Sequence, residues 1–190
     1  YSYNAVLASN GVQIVSPNCL QCHAQELDGK LVIGLGNSLS DYTADHSFTA
    51  KLLESFLKNG QGNELKYDAA KNFITAVKTV SPSLVVQTKG VNPADRLAAL
   101  LVAHRDPKTL KWLDSSRLPI YAEIIPTDVP AWWLLKKKNA MLYNGFGRGD
   151  FGRFLMASNL LTVTDPAEAA EVDSHFNDVL AYIYSLTPHV

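Results

Sequence analysis

Cys19-Leu20-Gln21-Cys22-His23 decides how the rest of the chain is read. Two thiols stand three residues apart, close enough to share one turn, and an imidazole follows the second directly. C-x-x-C-H is the spacing at which haem is attached covalently. The thiols add across the two vinyl groups of the porphyrin, and the adjacent imidazole reaches the iron. Cys19 and Cys22 are therefore the expected thioether positions of one haem c, and His23 is the expected proximal iron ligand. Other chemistries fit the five residues less well. A thioredoxin-type pair belongs beside a βαβ pattern, and no strand-rich, β-branched run is expected on either side of Cys19. A structural zinc site needs a second ligand pair. Cys19 and Cys22 are the only cysteines, while His46, His104, His175 and His189 are scattered rather than paired.

Length and composition set the frame around that motif. At 190 residues and 47% apolar content, the chain can bury one well-packed core. A single domain over residues 1–190 is expected, with no internal repeat and no evident boundary. A formal net charge of -1 argues against nucleic acid or an anionic membrane as the main partner. No apolar run approaches the length of a membrane span. The chain opens at Tyr1 and stops abruptly at Val190, as expected of a mature piece of a longer protein. Both thiols are claimed by haem, so no disulfide is expected. Attachment of this kind takes place outside the cytoplasm, which points to a periplasmic or extracellular location.

Read in order, the chain looks all-α. Val6, Leu7, Ile14 and Val15, with Gly11 interrupting them, suggest a short helix leading to Pro17 and the motif. Leu27 to Asp45 has loop composition, with Gly29, Gly34 and Gly36; it either wraps one haem edge or is plain surface connection. Phe48, Leu52, Leu53, Phe56 and Leu57 fall at helical spacing and stop at Gly60. Further helices are expected over Asp68 to Val80, Pro93 to His104, Trp133 to Leu142 and Phe151 to Leu161, while Pro119, Pro126 and Pro130 forbid a long helix between Trp112 and Trp133. The last helix has the clearest local grammar. Asp165 can cap it, Pro166 suits its first turn, and Glu168 completes a capping-box pattern. Val172, Phe176, Val179, Leu180 and Ile183 then form an apolar stripe.

The expected helix before Cys-x-x-Cys-His and the closing Val179-Leu180-Ala181-Tyr182-Ile183-Tyr184-Ser185-Leu186 together resemble the class I cytochrome c fold. That resemblance implies first and last helices packed near the haem, with a methionine as sixth ligand shortly before the last helix. The stretch from Leu31 to Pro130 exceeds the family's core, so a long helical insertion is expected. Asp128-Val129-Pro130-Ala131-Trp132-Trp133-Leu134-Leu135-Lys136-Lys137-Lys138, with Gly147-Arg148-Gly149-Asp150-Phe151, is similar to an uncharacterised group of bacterial cytochrome c modules. Some of these sit in secreted multi-haem proteins beside carbohydrate-binding modules. The resemblance alone implies a neighbouring haem domain or redox protein as partner, and a link to polysaccharide-degrading systems.

The distal position sorts the functional classes. Met156 is the first candidate, on its place before the last helix; Met141 and His46 are the alternatives. Arg148 and Arg153, flanking the glycine-rich turn, are candidates for pairing with haem propionates through their planar forks. Trp112, Trp132 and Trp133 are candidates to line the haem pocket, and Lys136, Lys137 and Lys138 form a compact positive patch. A His/Met-ligated iron is closed to substrates and raised in potential. An electron-transfer domain that catalyses nothing alone is thus expected. The alternative is a haem enzyme or gas sensor with an open or labile distal site.

Overall fold

The computed structural model describes residues 1–142 and 144–188. It is a mixed α/β structure, which corrects the all-α expectation: two antiparallel two-stranded sheets flank the Cys19–His23 motif. β1 (Tyr3–Leu7) pairs with β2 (Gln13–Pro17), where a short helix was expected. β3 (Ala24–Leu27) pairs with β4 (Lys30–Ile33), where loop was expected.

Both ribbons follow from turn chemistry. Asp28 and Gly29 stand at φ 50° and 73°, so the two-residue loop has positive φ at both positions. That is the mirror-image turn whose twist matches paired strands, and Asp-Gly is one of its preferred dipeptides. In the first ribbon Gly11 has φ 80°, and the Asn10 side chain accepts from the Val12 amide. Gly11 thus turns a hairpin rather than interrupting a helix. β1 is exposed along its whole length, so no inward-outward alternation marked it as a strand. The strands beside Cys19 are antiparallel ribbons, not the parallel βαβ pairing of a thioredoxin-type site.

The helical readings fare better. α1 (Leu20–His23) is the single turn of the motif, α2 is Ser47–Asn59, α3 is Glu64–Val80 and α4 is Ala94–Ala103. Trp132–Lys137 forms a 3-10 turn in place of the longer helix expected there. α5 is Phe151–Met156, continued by 3-10 geometry over Ala157–Leu161. α6 is Pro166–Ser185. Its cap is a variant of the expected box: Asp165 accepts from the amides of Ala167 and Glu168, while Glu168 reaches back to the Thr164 amide.

Two apolar clusters hold these elements. The first gathers Trp132, Leu135, Phe151 and Ile183, with Leu20 of α1 and Leu180 of α6 packed against them. It joins the last helix to the motif. The second gathers Val80, Leu100 and Leu101, with Trp112 and Leu160 against them. α2 packs chiefly on α3 and turns Phe48, Leu52 and Phe56 outward, at 72%, 61% and 67% exposure. Phe48, Leu52 and Phe56 therefore form a surface stripe, while Leu57 of the same apolar pattern is buried.

Candidate functional site

The motif is a closed helical turn. The amides of Cys22 and His23 both donate to the Cys19 carbonyl, at 3.3 and 3.0 Å, and Asn18 caps the turn by accepting from the Leu20 amide. Cys19 and Cys22 consequently leave the same turn, as thioether attachment requires. Ala24 is extended, so the helix stops at His23. The Gly34 amide then donates to the His23 carbonyl at 2.8 Å, and the Asn37 amide to the Cys22 carbonyl at 2.8 Å. The glycine segment is thus a clamp on the motif.

That clamp also brings in a distant strand of chain. The Trp132 amide donates to the Gly34 carbonyl at 2.8 Å. A Cβ on Gly36 would lie 1.7 Å from the Val129 carbonyl oxygen. Only glycine admits this approach. Through it, residues 129–132 lie over His23, and the Trp132 ring stacks on the imidazole at 4.8 Å and 24°.

A cavity of about 620 Å³ opens beside the stack. This is the size range of pockets that enclose a cofactor-sized ligand. Cys22, His23, Trp132, Met141, Tyr42 and Lys138 are on its wall, and the remainder is mostly apolar, with Leu97, Val129, Leu135 and Phe154. Burial holds the His23 pKa down, from 6.5 to about 4, with the Pro130 carbonyl pulling weakly the other way. The imidazole is accordingly neutral at ordinary pH, the form that binds a metal. Its Nδ1 is buried without a well-formed hydrogen bond among the described residues, although the Pro130 carbonyl is close enough to be felt.

The thiols sit in different surroundings. Cys22 Sγ is 3.7 Å from the Tyr42 hydroxyl and accepts from Asn92 Nδ2 at 3.6 Å. The Tyr42 phenol is pushed well above its usual range, mainly by burial and further by Cys22. Cys19 is exposed as a residue, yet the protein around its sulfur raises the thiol pKa, with Cys22 adding to the effect. A redox-active Cys-x-x-Cys pair needs the reverse, a thiol pKa lowered toward the thiolate.

The candidate ligands and counter-charges divide clearly by position. Met141 stands on the cavity wall, in the irregular segment before α5, and packs against the Trp132 cluster. Met156 ends α5 and is not on that wall. His46 is the exposed residue preceding α2, with its amide on Ser81 Oγ at 2.7 Å, and does not line the cavity. Arg148 is exposed and donates to the Gly145 carbonyl; Arg153 is exposed and pairs with Asp173 at 3.3 Å. The cation on the wall is Lys138. Lys136 of the expected positive patch is spent on the Tyr184 and Leu186 carbonyls at the end of α6. Trp112 lies elsewhere, stacked on the buried His104.

Several site residues carried no local signal. Tyr42 and Asn92 reach Cys22 from chain 20 and 70 residues away. Asn92 is fixed there by a two-way backbone bridge to Thr127. Pro130 was legible only as a helix breaker. His189 lies outside the described residues. No group of three or more His, Cys, Asp or Glu suited to a bare metal ion occurs among the described residues, and no described helix is long and apolar enough to cross a membrane. A scan against protein-family models and searches among curated proteins and solved structures return no match to this chain.

Proposed function

We propose that the chain is an electron-transfer domain of the c-type cytochrome kind, holding one covalent haem through Cys19 and Cys22. The observation that carries the reading is that Cys22 and His23 of the Cys-x-x-Cys-His turn line a mostly apolar cavity that also bears Met141, while Cys19 leaves the same turn outside that wall. The residues fit the group: both thiols leave one turn, and the imidazole beside them is buried, neutral and without a firm partner of its own. Bound there, haem supplies a one-electron Fe(III)/Fe(II) couple.

The chain's own groups do the rest. His23 offers a neutral ring nitrogen for the proximal position, and the Trp132 stack fixes the plane of that ring. The Pro130 carbonyl, close to the ring, would orient it and strengthen it as a ligand on forming a full hydrogen bond, as partners of metal-binding histidines do. Met141 supplies the distal thioether in this reading, ahead of Met156 and His46, because it alone of the three stands on the cavity wall. The apolar lining keeps water out, and Lys138 offers a counter-charge for a propionate, a group that is costly to bury unpaired. Electrons pass to a redox protein or neighbouring haem domain, in a periplasmic or extracellular setting.

The test is the absorption spectrum of the purified protein, oxidised and reduced, into the near infrared and with carbon monoxide added. A methionine-to-iron charge-transfer band and no carbon monoxide shift are expected. A high-spin spectrum that shifts with carbon monoxide would replace this reading with a haem enzyme or gas sensor.

A further inference from the structure

A second cavity, of about 420 Å³, lies at the other end of α4. Ala94 and Leu97 of α4 face the haem cavity, while Arg105, just past its last turn, lines this one. Eight residues, from Leu97 to Arg105, at 1.5 Å of rise separate the two walls by about 12 Å along α4. The walls share no residue.

Arg105 is 4% exposed and unusually committed. Its two terminal nitrogens donate to the carbonyls of Leu110 and Leu160, and its guanidinium packs over the Trp112 ring at 5.0 Å. Trp112 is held in turn by the His104 stack at 5.3 Å. Two donors remain. Arg105 Nε and Trp112 Nε1 are buried and have no hydrogen-bond partner among the described residues. Both residues line the same cavity, together with Lys111, and Asn72 and Thr75 of α3.

Buried donors in native proteins are nearly always satisfied, by protein, water or ligand. Two of them lie in the wall of one cavity, on an arginine and an indole that can only donate; neither nitrogen opens onto the cavity as it stands, so an acceptor there reaches them once the guanidinium–indole stack parts. The lining carries two cations, Arg105 and Lys111, against the carboxylate of Asp165, and Glu168, outside the lining, is close enough to attract Arg105. Asp165 is already spent on the Ala167 and Glu168 amides, and Glu168 on Thr164. The N-terminus of α6 therefore contributes no free amide of its own first turn, and the site rests on the side-chain donors.

We propose that this cavity binds a small oxyanion, a carboxylate or a phosphate, through Arg105, Trp112 and Lys111. The oxygens accept from Arg105 Nε and Trp112 Nε1, after a small opening of the guanidinium–indole stack, and Lys111 supplies the second positive charge. The site is independent of the haem reading and stands or falls apart from it.

The experiment is a titration of the full nitrogen-15-labelled chain with sodium phosphate, and separately with sodium acetate, at constant ionic strength set by sodium chloride. The indole N–H resonances of the three tryptophans are followed. The Trp112 signal is expected to move downfield and saturate, while Trp132 and Trp133 stay in place. Lys111→Ala, a change on the lining that leaves Arg105 and Trp112 intact, should weaken the dissociation constant at least tenfold. Saturation by phosphate alone identifies a phosphate site, and saturation by acetate identifies a carboxylate site. A Trp112 signal that does not saturate with either anion, equal movement of all three indoles, or an unchanged titration in the Lys111→Ala chain would each overturn the proposal.

Discussion

Replacing Met141 by leucine is the sharpest test of the distal assignment. Met141 has two roles: it lines the cavity, and it packs against the cluster of Trp132, Leu135, Phe151 and Ile183. Leucine keeps nearly all the volume, so loss of packing should cost less than about 1.5 kcal/mol. Alanine loses both thioether and volume. Met→Ala in a core costs about 2–5 kcal/mol, and a half-buried site belongs at the low end. Met141→Ala should therefore fall about 0.5–2 kcal/mol below Met141→Leu. For a chain of this size each kcal/mol moves Tm by about 2–4 °C, which separates the variants by about 1–8 °C. The spectra should not separate them. Both should lose the near-infrared methionine band and gain carbon monoxide binding in the reduced state, while Met156→Leu keeps the native spectrum. Retention of the band in Met141→Leu together with its loss in Met156→Leu would refute the assignment, and with it the use of the cavity wall to choose the ligand.

Three further outcomes follow from the geometry. Gly36→Ala drives a Cβ into the Val129 carbonyl and should cost about 1–3 kcal/mol or more as residues 129–132 shift off His23; urea unfolding and Trp fluorescence read both effects, and a neutral result would show that the close approach is not real. In the haem-free chain the His23 pKa of about 4 lies below its unfolded 6.5, so the neutral ring stabilises the fold above pH 6.5 and that stability drains away as pH falls toward 4. The loss is on the order of 3 kcal/mol; a proton-NMR midpoint for His23 at or above 6.5 would contradict its burial. Asp165→Ala removes the cap of α6 and should cost about 0.5–2 kcal/mol by calorimetry, with Asp165→Asn recovering most of it; equal losses in the two variants would argue against capping.

Local grammar accounts for what could be read without the fold. The Cys19–His23 spacing, the Asp165-Pro166 helix start and the apolar stripe of α6 each depend on residues within one or a few turns, and short-range hydrogen bonds decide them. Asn10-Gly11 and Asp28-Gly29 belonged to the same local grammar, since positive φ at a hairpin turn is a property of the dipeptide itself. Reading them as a helix interruption and a loop is what produced the all-α expectation. The stripe of Phe48, Leu52 and Phe56 correctly marked a helix but not its orientation, because spacing says which residues share a face and not what that face meets.

The site beyond its motif was decided by tertiary structure. Gly34 and Gly36 draw residues 129–132 across a gap of about a hundred residues, and only then does Trp132 stack on His23. Met141 and Met156 are indistinguishable as side chains; a loop delivers the first to the cavity wall, and the end of α5 keeps the second away from it. Arg148 and Arg153 had the right chemistry for a propionate but are exposed elsewhere, and the cation on the cavity wall is Lys138. The sequence alone determined the Cys19–His23 turn, because the hydrogen bonds that close it are local. Which groups surround the cavity depends on long-range packing of loops, where burial and backbone contact, not residue type, select among equivalent side chains.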